Sequence, residues 1–210
     1  GSDELENFEL GIKATLADQR VTINAAVYRI NWEGIPVQLV LACGAGAILN
    51  AGESKSEGIE VESQILLSEN LKIDLSASYI DTILTEDAPS LGVGAVDGAN
   101  LPGSADFNFS AGFEYGFALL GAEAFVRLDY SYVGEYFGDF AESGQNSGDY
   151  SMINAKVGAT FDALSVDVYI KNLTNADDYT WTENQFSQFG FSRAYQLRPR
   201  TIGLNLGYQF

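Results

Sequence analysis

Residues 119–133 read LLGAEAFVRLDYSYV, and apolar residues occupy every second position through most of this stretch. One face of the stretch carries Leu120, Ala122, Ala124, Val126, Leu128, Tyr130 and Tyr132. The other carries Glu123, Arg127, Asp129 and Ser131, together with Gly121 and Phe125. A period of two residues predicts a β-strand with one apolar face and one polar face.

The same alternation recurs along the 210 residues, and no segment has the period of an amphipathic helix. About nine strands are predicted, near 6–17, 20–34, 48–68, 71–84, 105–116, 119–133, 149–162, 164–173 and 197–210. Hydrophobic residues make up 46% of the chain, which is enough for an ordered fold. We therefore expect one all-β domain over residues 1–210, built as an up-and-down antiparallel sheet.

The connections between these strands alternate between short and long. The short ones are expected at ADQR (17–20), SENL (68–71), YGFAL (115–119) and FDAL (161–164), and the long ones at 35–47, 85–104, 134–148 and 174–196. In an up-and-down sheet, all tight turns then lie at one rim and all long loops at the other. This asymmetry is typical of bacterial outer-membrane β-barrels.

Alternation alone does not separate a membrane barrel from a soluble β-sandwich, because both have one apolar face. The loop asymmetry favours the barrel, as does a chain that stops on a strand. A third feature is the gathering of aromatic residues near strand ends, as in the aromatic girdles of membrane barrels. These residues are Tyr79, Tyr115, Tyr130, Tyr132, Tyr208 and Phe210.

The composition argues against several classes of function. The chain has no histidine and a single cysteine, Cys43, so histidine-based catalysis and an internal disulfide are excluded. The net charge of −18 disfavours nucleic acid as a partner. No motif indicates a cofactor, a metal site or a catalytic residue, and we do not expect an enzyme.

The ending GLNLGYQF resembles the terminal signal that the barrel assembly machinery recognises in outer-membrane proteins. The residues that match it are Gly203, Leu204, Leu206, Tyr208 and Phe210. The resemblance implies that Phe210 acts in insertion as well as in packing, and it implies the outer membrane of a Gram-negative bacterium as the location.

Other segments, in family order, resemble TonB-dependent receptors. They are ENFELGIKATLADQRVTINAAVYRINWEGI (6–35), NAGESKSEGIEVE (50–62), LPGSADFNFSAGFEY (101–115), KNLTNADDYT (171–180) and RPRTIGL (198–204). Ala105 stands where a second proline is common in the family. The family combines a plug domain, a TonB box and a barrel of twenty-two strands, of which this chain matches only the C-terminal barrel region.

The resemblance implies TonB-energised import of a siderophore, cobalamin or a carbohydrate, with a plug domain, TonB, outer-membrane lipid and lipopolysaccharide as partners. Nine strands is an odd number, whereas bacterial single-chain barrels have even numbers. Either the chain is a piece of a larger barrel, which is the simpler account, or a hairpin within 174–196 hides a further strand. A small self-contained pore or adhesin and a soluble β-sandwich binding module remain the alternatives.

Two groups of residues are candidates for function. The first could bind a small-molecule ligand in the last outer loop, through aromatic rings and a cation: Tyr179, Trp181, Phe186, Phe189 and Arg193. Packing of the loop is the alternative role for these side chains. The second group, Arg127, Asp129 and Lys171, is expected to face the lumen, where its members would pair with each other or with a plug.

Overall fold

The computed structural model describes residues 1–40, 46–50, 52–91, 94–140, 146–183 and 193–210. Its strands are β1 (Glu4–Leu16), β2 (Val21–Glu33), β3 (Pro36–Val40), β4 (Gly46–Asn50), β5 (Glu53–Ser68), β6 (Leu71–Leu84), β7 (Phe107–Leu119), β8 (Ala122–Val133), β9 (Tyr150–Phe161), β10 (Leu164–Lys171), β11 (Tyr179–Glu183), β12 (Arg193–Gln196) and β13 (Thr201–Tyr208). Within these ranges no helix is long and apolar enough to cross a membrane.

Nine of the strands form one antiparallel sheet in the order β1-β2-β5-β6-β7-β8-β9-β10-β13. The prediction of nine strands in an up-and-down sheet is confirmed. Two further hairpins, β3–β4 and β11–β12, lie outside this sheet, within the long connections. A hairpin therefore does exist between 174 and 196, but its two strands do not join the nine-stranded sheet.

Two predicted boundaries were wrong. The segment YGFAL lies inside β7, and the turn falls at Leu120 and Gly121, because Leu119 pairs with Ala122. Both turn residues have positive φ, 52° and 84°, as a two-residue hairpin turn of this kind requires. The strand expected from 48 begins instead at 53, because residues 46–50 pair with β3.

The apolar face of the sheet is exposed, and the register aligns it from strand to strand. One row runs through Leu10, Val27, Ile59 and Tyr79, which are paired in succession across four strands. Leu10 is 76% exposed and Val27 47%. In a soluble sandwich these side chains would be covered by a second layer, so the arrangement fits a sheet whose apolar face meets lipid.

Two groups of aromatic rings border this apolar face. Near the long loops, the rings of Phe107 and Tyr132 lie 6.2 Å apart, and near the tight turns those of Tyr115 and Phe117 lie 6.0 Å apart. Ten residues separate Phe107 from Phe117, which at about 3.4 Å per residue and a tilt of about 40° corresponds to roughly 26 Å across the membrane. This height matches the apolar band of about 25 Å in outer-membrane barrels.

Three aromatic side chains on the polar face lie over glycines of the neighbouring strand. A Cβ atom on Gly58 would lie 2.6 Å from the Tyr28 ring, and one on Gly158 would lie 2.7 Å from the Phe125 ring. Gly203 is covered by Tyr169 in the same way. Gly203, predicted as part of the terminal signal, therefore also has a packing role in the wall.

At the end of the sheet that carries the long loops, a small apolar core lies between the connections that follow β2 and β6. Ile35, Leu84, Ala88 and Ala95 are buried there. Partly buried Trp32, Leu91, Ala99, Leu101 and Phe140 pack against them. This core therefore packs described residues of the β2–β5, β6–β7 and β8–β9 connections together at the loop end of the sheet.

Candidate functional site

Arg127 is the centre of a charged cluster on the polar face of β6, β7 and β8. Its guanidinium nitrogens lie 2.6 Å from Asp129 Oδ1, 3.2 Å from Glu114 Oε2 and 3.5 Å from Asp74 Oδ2. Lys72 Nζ lies 3.2 Å from Asp74 Oδ1. The pairing predicted as an alternative role for Arg127 and Asp129 is therefore present.

Gly112 makes room for this cluster, because a Cβ atom there would lie 3.0 Å from Arg127 Nη2. The guanidinium lies along the wall with 29% of the side chain exposed. Two cations face three carboxylates, so most of the charge is compensated locally. The cluster borders a recess of about 490 Å³ whose other lining residues include Asn24, Gln64 and Ser110.

Lys171 lies on the same face but in another part of the sheet. Its ammonium is 5.7 Å from the centre of the Tyr169 ring. Lys156 binds Asp167 at 3.3 Å and lies 5.5 Å from the Phe125 ring. The structure thus brings Arg127 and Asp129 together and leaves Lys171 apart from them.

The predicted ligand-binding residues of the last loop are only partly within the described residues. Phe186 and Phe189 lie outside them. Tyr179 and Trp181 belong to β11, and Arg193 opens β12 opposite Glu183. The Trp181 ring packs on Gly103 of the β6–β7 loop, where a Cβ atom would come within 2.9 Å, so the alternative role in loop packing is present for this side chain.

Tyr136, in the β8–β9 loop, completes this contact. Its ring centre lies 6.2 Å from that of Trp181, and its hydroxyl donates a hydrogen bond to the carbonyl oxygen of Thr180. Burial raises the pKa of the Tyr136 phenol above its ordinary value. Sequence reasoning did not find Tyr136, because no local pattern links it to a residue 45 positions away.

Asn172 is a second residue whose role the sequence did not reveal. Its side chain is 1% exposed. The amide nitrogen donates to the carbonyl oxygens of Ala176 at 2.8 Å and Arg198 at 2.9 Å, and the amide oxygen accepts from the Ala176 N–H at 2.8 Å. The side chain therefore ties the start of the β10–β13 connection to its end.

The residues that the structure describes contain no group of three or more His, Cys, Asp or Glu side chains arranged to hold a metal ion. The acidic side chains of the Arg127 cluster are directed at cations of the protein itself.

The family model for TonB dependent receptor-like β-barrels matches residues 4–173. This chain belongs to that family. The family and the similar solved structures are receptors and transporters, not enzymes. No curated protein matches the sequence.

Three solved structures illustrate the fold. The ferric yersiniabactin uptake receptor FyuA of Yersinia pestis has a TM-score of 0.83 at 20% identity, over 99% of this chain and 30% of its own. The ferric-catecholate import receptor Fiu of E. coli K12 has a TM-score of 0.71 at 19% identity, over 99% and 28%. The ferripyoverdine receptor of the Pseudomonas aeruginosa outer membrane has a TM-score of 0.70 at 17% identity, over 99% and 27%.

The chain therefore spans less than a third of the length of these receptors. An odd number of strands and an open sheet are expected for a segment of a larger barrel. At these identities the likeness concerns the fold, namely nine strands of a TonB-dependent receptor barrel.

Proposed function

We propose that this chain forms the C-terminal wall of a TonB-dependent receptor in the outer membrane of a Gram-negative bacterium. The complete protein would import a scarce nutrient with energy supplied through TonB. The observation that carries the proposal is the family match over residues 4–173, in a sheet whose apolar face is exposed.

The two faces of the sheet support separate roles. The apolar face, with an aromatic group near each end, is suited to the hydrocarbon core of the membrane. The polar face, which carries Arg127, Asp129 and Lys171, would line the lumen and contact a plug domain. The long loops would face outwards, toward lipopolysaccharide and the ligand.

An iron chelate is the cargo that the similar structures favour, ahead of cobalamin or a carbohydrate. Two of them are named for ferric yersiniabactin and ferric catecholate. Tyr179, Trp181 and Arg193, with Phe186 and Phe189, are the proposed ligand-binding residues of the last loop. No bond is made or broken in this function, so the chain needs no catalytic residue.

The terminal residues would serve assembly. Leu204, Leu206 and Tyr208 are exposed on the apolar face of the last strand of the sheet, and the Tyr208 and Phe210 rings meet edge to face at 5.3 Å. We propose that the barrel assembly machinery reads these side chains, together with Gly203. Their substitution would lower the amount of barrel inserted.

Uptake by the full-length polypeptide tests the proposal. Cells that express it, with and without TonB, would be given radiolabelled ferric hydroxamate, ferric catecholate, cobalamin and a maltooligosaccharide. We expect accumulation of one of these compounds that disappears without TonB. Uptake that is equal in both strains would contradict the proposal and indicate a passive pore.

A further inference from the structure

We infer that the loop end of this wall is a charge filter, which favours the entry of neutral and cationic solutes and repels anionic ones. The filter consists of the β6–β7 and β8–β9 connections and of two carboxylates on the polar face of the sheet, Glu9 and Glu60. Its consequence for the cargo rests on the proposed receptor function, whereas the filter itself depends only on the charges of this chain.

The two connections contain acidic residues and no basic ones. Residues 85–106 and 134–149 include no lysine or arginine. None of the acidic residues in the β6–β7 connection forms an ion pair with a described residue. The acidic residues that the structure describes in the two connections are Glu86, Asp87, Asp97, Asp106, Glu135, Asp139 and Asp149.

The β10–β13 connection does not offset this charge. Residues 172–200 contain three acidic and three basic residues, so their formal charges cancel. Within the described part of this connection, Arg193 lies opposite Glu183 in the β11–β12 hairpin. The negative charge of the other two connections therefore remains as the net charge of the loop end.

Two recesses at the loop end meet at Ser104. The first, of about 530 Å³, lies between the β6–β7 connection and the polar face of β1, β2, β5 and β6, and its lining includes Glu9 and Glu60. The second, of about 290 Å³, lies between the β6–β7 and β8–β9 connections, and its lining includes Asp106 and Glu135. Neither lining contains a lysine or an arginine. A concave surface with charges of one sign focuses their field and raises the local concentration of counter-ions.

The polar face of β6 to β10 differs, because several of its acids are paired. Arg127 contacts three carboxylates, and Lys156 lies 3.3 Å from Asp167. Glu9 and Glu60 are exposed and have no ion pair with any described residue. Uncompensated negative charge is thus present beneath the β6–β7 connection, where a solute would enter the lumen.

The filter narrows the cargo class of the proposed receptor. A ferric tris-hydroxamate is neutral, because three hydroxamate anions balance the charge of the ferric ion. A ferric tris-catecholate keeps three negative charges, because each catecholate contributes two. The field at the loop end disfavours the second complex, so the cargo is a neutral or cationic chelate.

Charged thiol reagents test the filter in the full-length receptor in detergent, with its native cysteines, including Cys43, replaced by serine. Ser104→Cys places a thiol at the meeting point of the two recesses. The matched control is Asn70→Cys, in the tight turn between β5 and β6, where Glu69 and Lys72 have opposite charges. The reagents are 2-(trimethylammonium)ethyl methanethiosulfonate, a cation, and 2-sulfonatoethyl methanethiosulfonate, an anion. At low salt, the ratio of the cation rate to the anion rate should be about tenfold higher at position 104 than at position 70.

Salt and neutral variants identify the source of this ratio. Raising the ionic strength from about 0.01 M to about 1 M shortens the Debye length from about 30 Å to about 3 Å and should make the two positions equal. The pair Glu9→Gln and Glu60→Gln should lower the ratio at position 104 about threefold, and so should the pair Asp106→Asn and Glu135→Gln. If Ser104→Cys does not fold, Asn100→Cys, which lines the second recess, takes its place.

Equal ratios at positions 104 and 70 at low salt overturn the filter, and so does a difference that persists at about 1 M salt. TonB-dependent uptake of ferric catecholate in preference to ferric hydroxamate would overturn the inference about the cargo. A cation preference at position 104 combined with uptake that does not depend on TonB supports the filter and rejects the proposed receptor function.

Discussion

Replacing Asn172 should release the connection between β10 and β13. The side chain takes part in three hydrogen bonds while buried, with Ala176 twice and with Arg198 once. At about 1 kcal/mol for each bond, their loss costs about 3 kcal/mol. The residue also has a φ of 53°, a left-handed conformation that asparagine and glycine tolerate, and alanine there adds about 1 kcal/mol.

Two substitutions separate these contributions. Asn172→Gly removes the amide but tolerates the backbone conformation, so we expect the connection to open about 3 kcal/mol more easily, or roughly 150-fold. Asn172→Ala should cost about 4 kcal/mol, or roughly 1000-fold. The difference between the two variants measures the free-energy cost of placing alanine in the left-handed conformation at position 172.

The assay is hydrogen exchange at 173–183 and 193–200 in the full-length protein, supported by limited proteolysis of the same connection. Asn205→Ala is the control, because Asn205 is exposed and has a single side-chain bond, of 2.8 Å to Asp167. Exchange in Asn172→Ala within threefold of the unsubstituted protein would refute the reasoning. It would show that backbone packing, and not the amide, holds the connection.

Four further outcomes are expected. Leu128→Arg places a charge on the apolar face and should destabilise the inserted barrel by about 2–4 kcal/mol. Ser131→Arg, on the polar face, should insert normally. Heat-modifiability gels compare the two variants, and equal insertion of both would contradict the assignment of the faces. Gly203→Val should destabilise the barrel by about 1–3 kcal/mol and so lower its thermal midpoint, because the new side chain displaces the Tyr169 ring. Gly116→Ala should leave the midpoint unchanged, because its Cβ has only ordinary contacts at 3.9 Å. Arg127→Met leaves the three carboxylates of the cluster with Lys72 as their nearby cation and should destabilise the barrel by about 1–2 kcal/mol. The loss should be smaller at high salt because of screening, and a loss independent of salt would point to packing instead. Finally, mass spectrometry of the native polypeptide should give a mass several times 22.7 kDa, and a mass near that value would favour a small self-contained pore or adhesin.

The strands were predictable because alternation is a local property of extended backbone. Every second side chain of Ala122–Val133 points to the same face, so the apolar face could be identified before any partner strand was known. The alternation of tight turns with long loops likewise needed only the order of segments along the chain. These two features were sufficient for an up-and-down sheet with a lipid-facing side.

The misplaced turn after β7 has a local physical cause. Leu120 adopts a positive φ of 52°. The sequence does not predict this conformation, because leucine is not a usual turn residue. The turn was expected at YGFAL, yet this segment, including Gly116, lies within β7. The β3–β4 hairpin was missed for a different reason, which is that PVQLV and GAILN lack clear alternation.

By itself, the sequence determined the period of the strands, the polarity of the two faces and the family to which the segments belong. The tertiary structure alone decided that Arg127 joins three carboxylates, that Asn172 ties two ends of a connection, and that Trp181 packs on Gly103 and Tyr136. Most of these contacts join residues that are distant in the chain, and they depend on the register of the sheet and on the packing of its loops. Local periodicity contains no information about either, because it reports only which way each side chain points from its own strand.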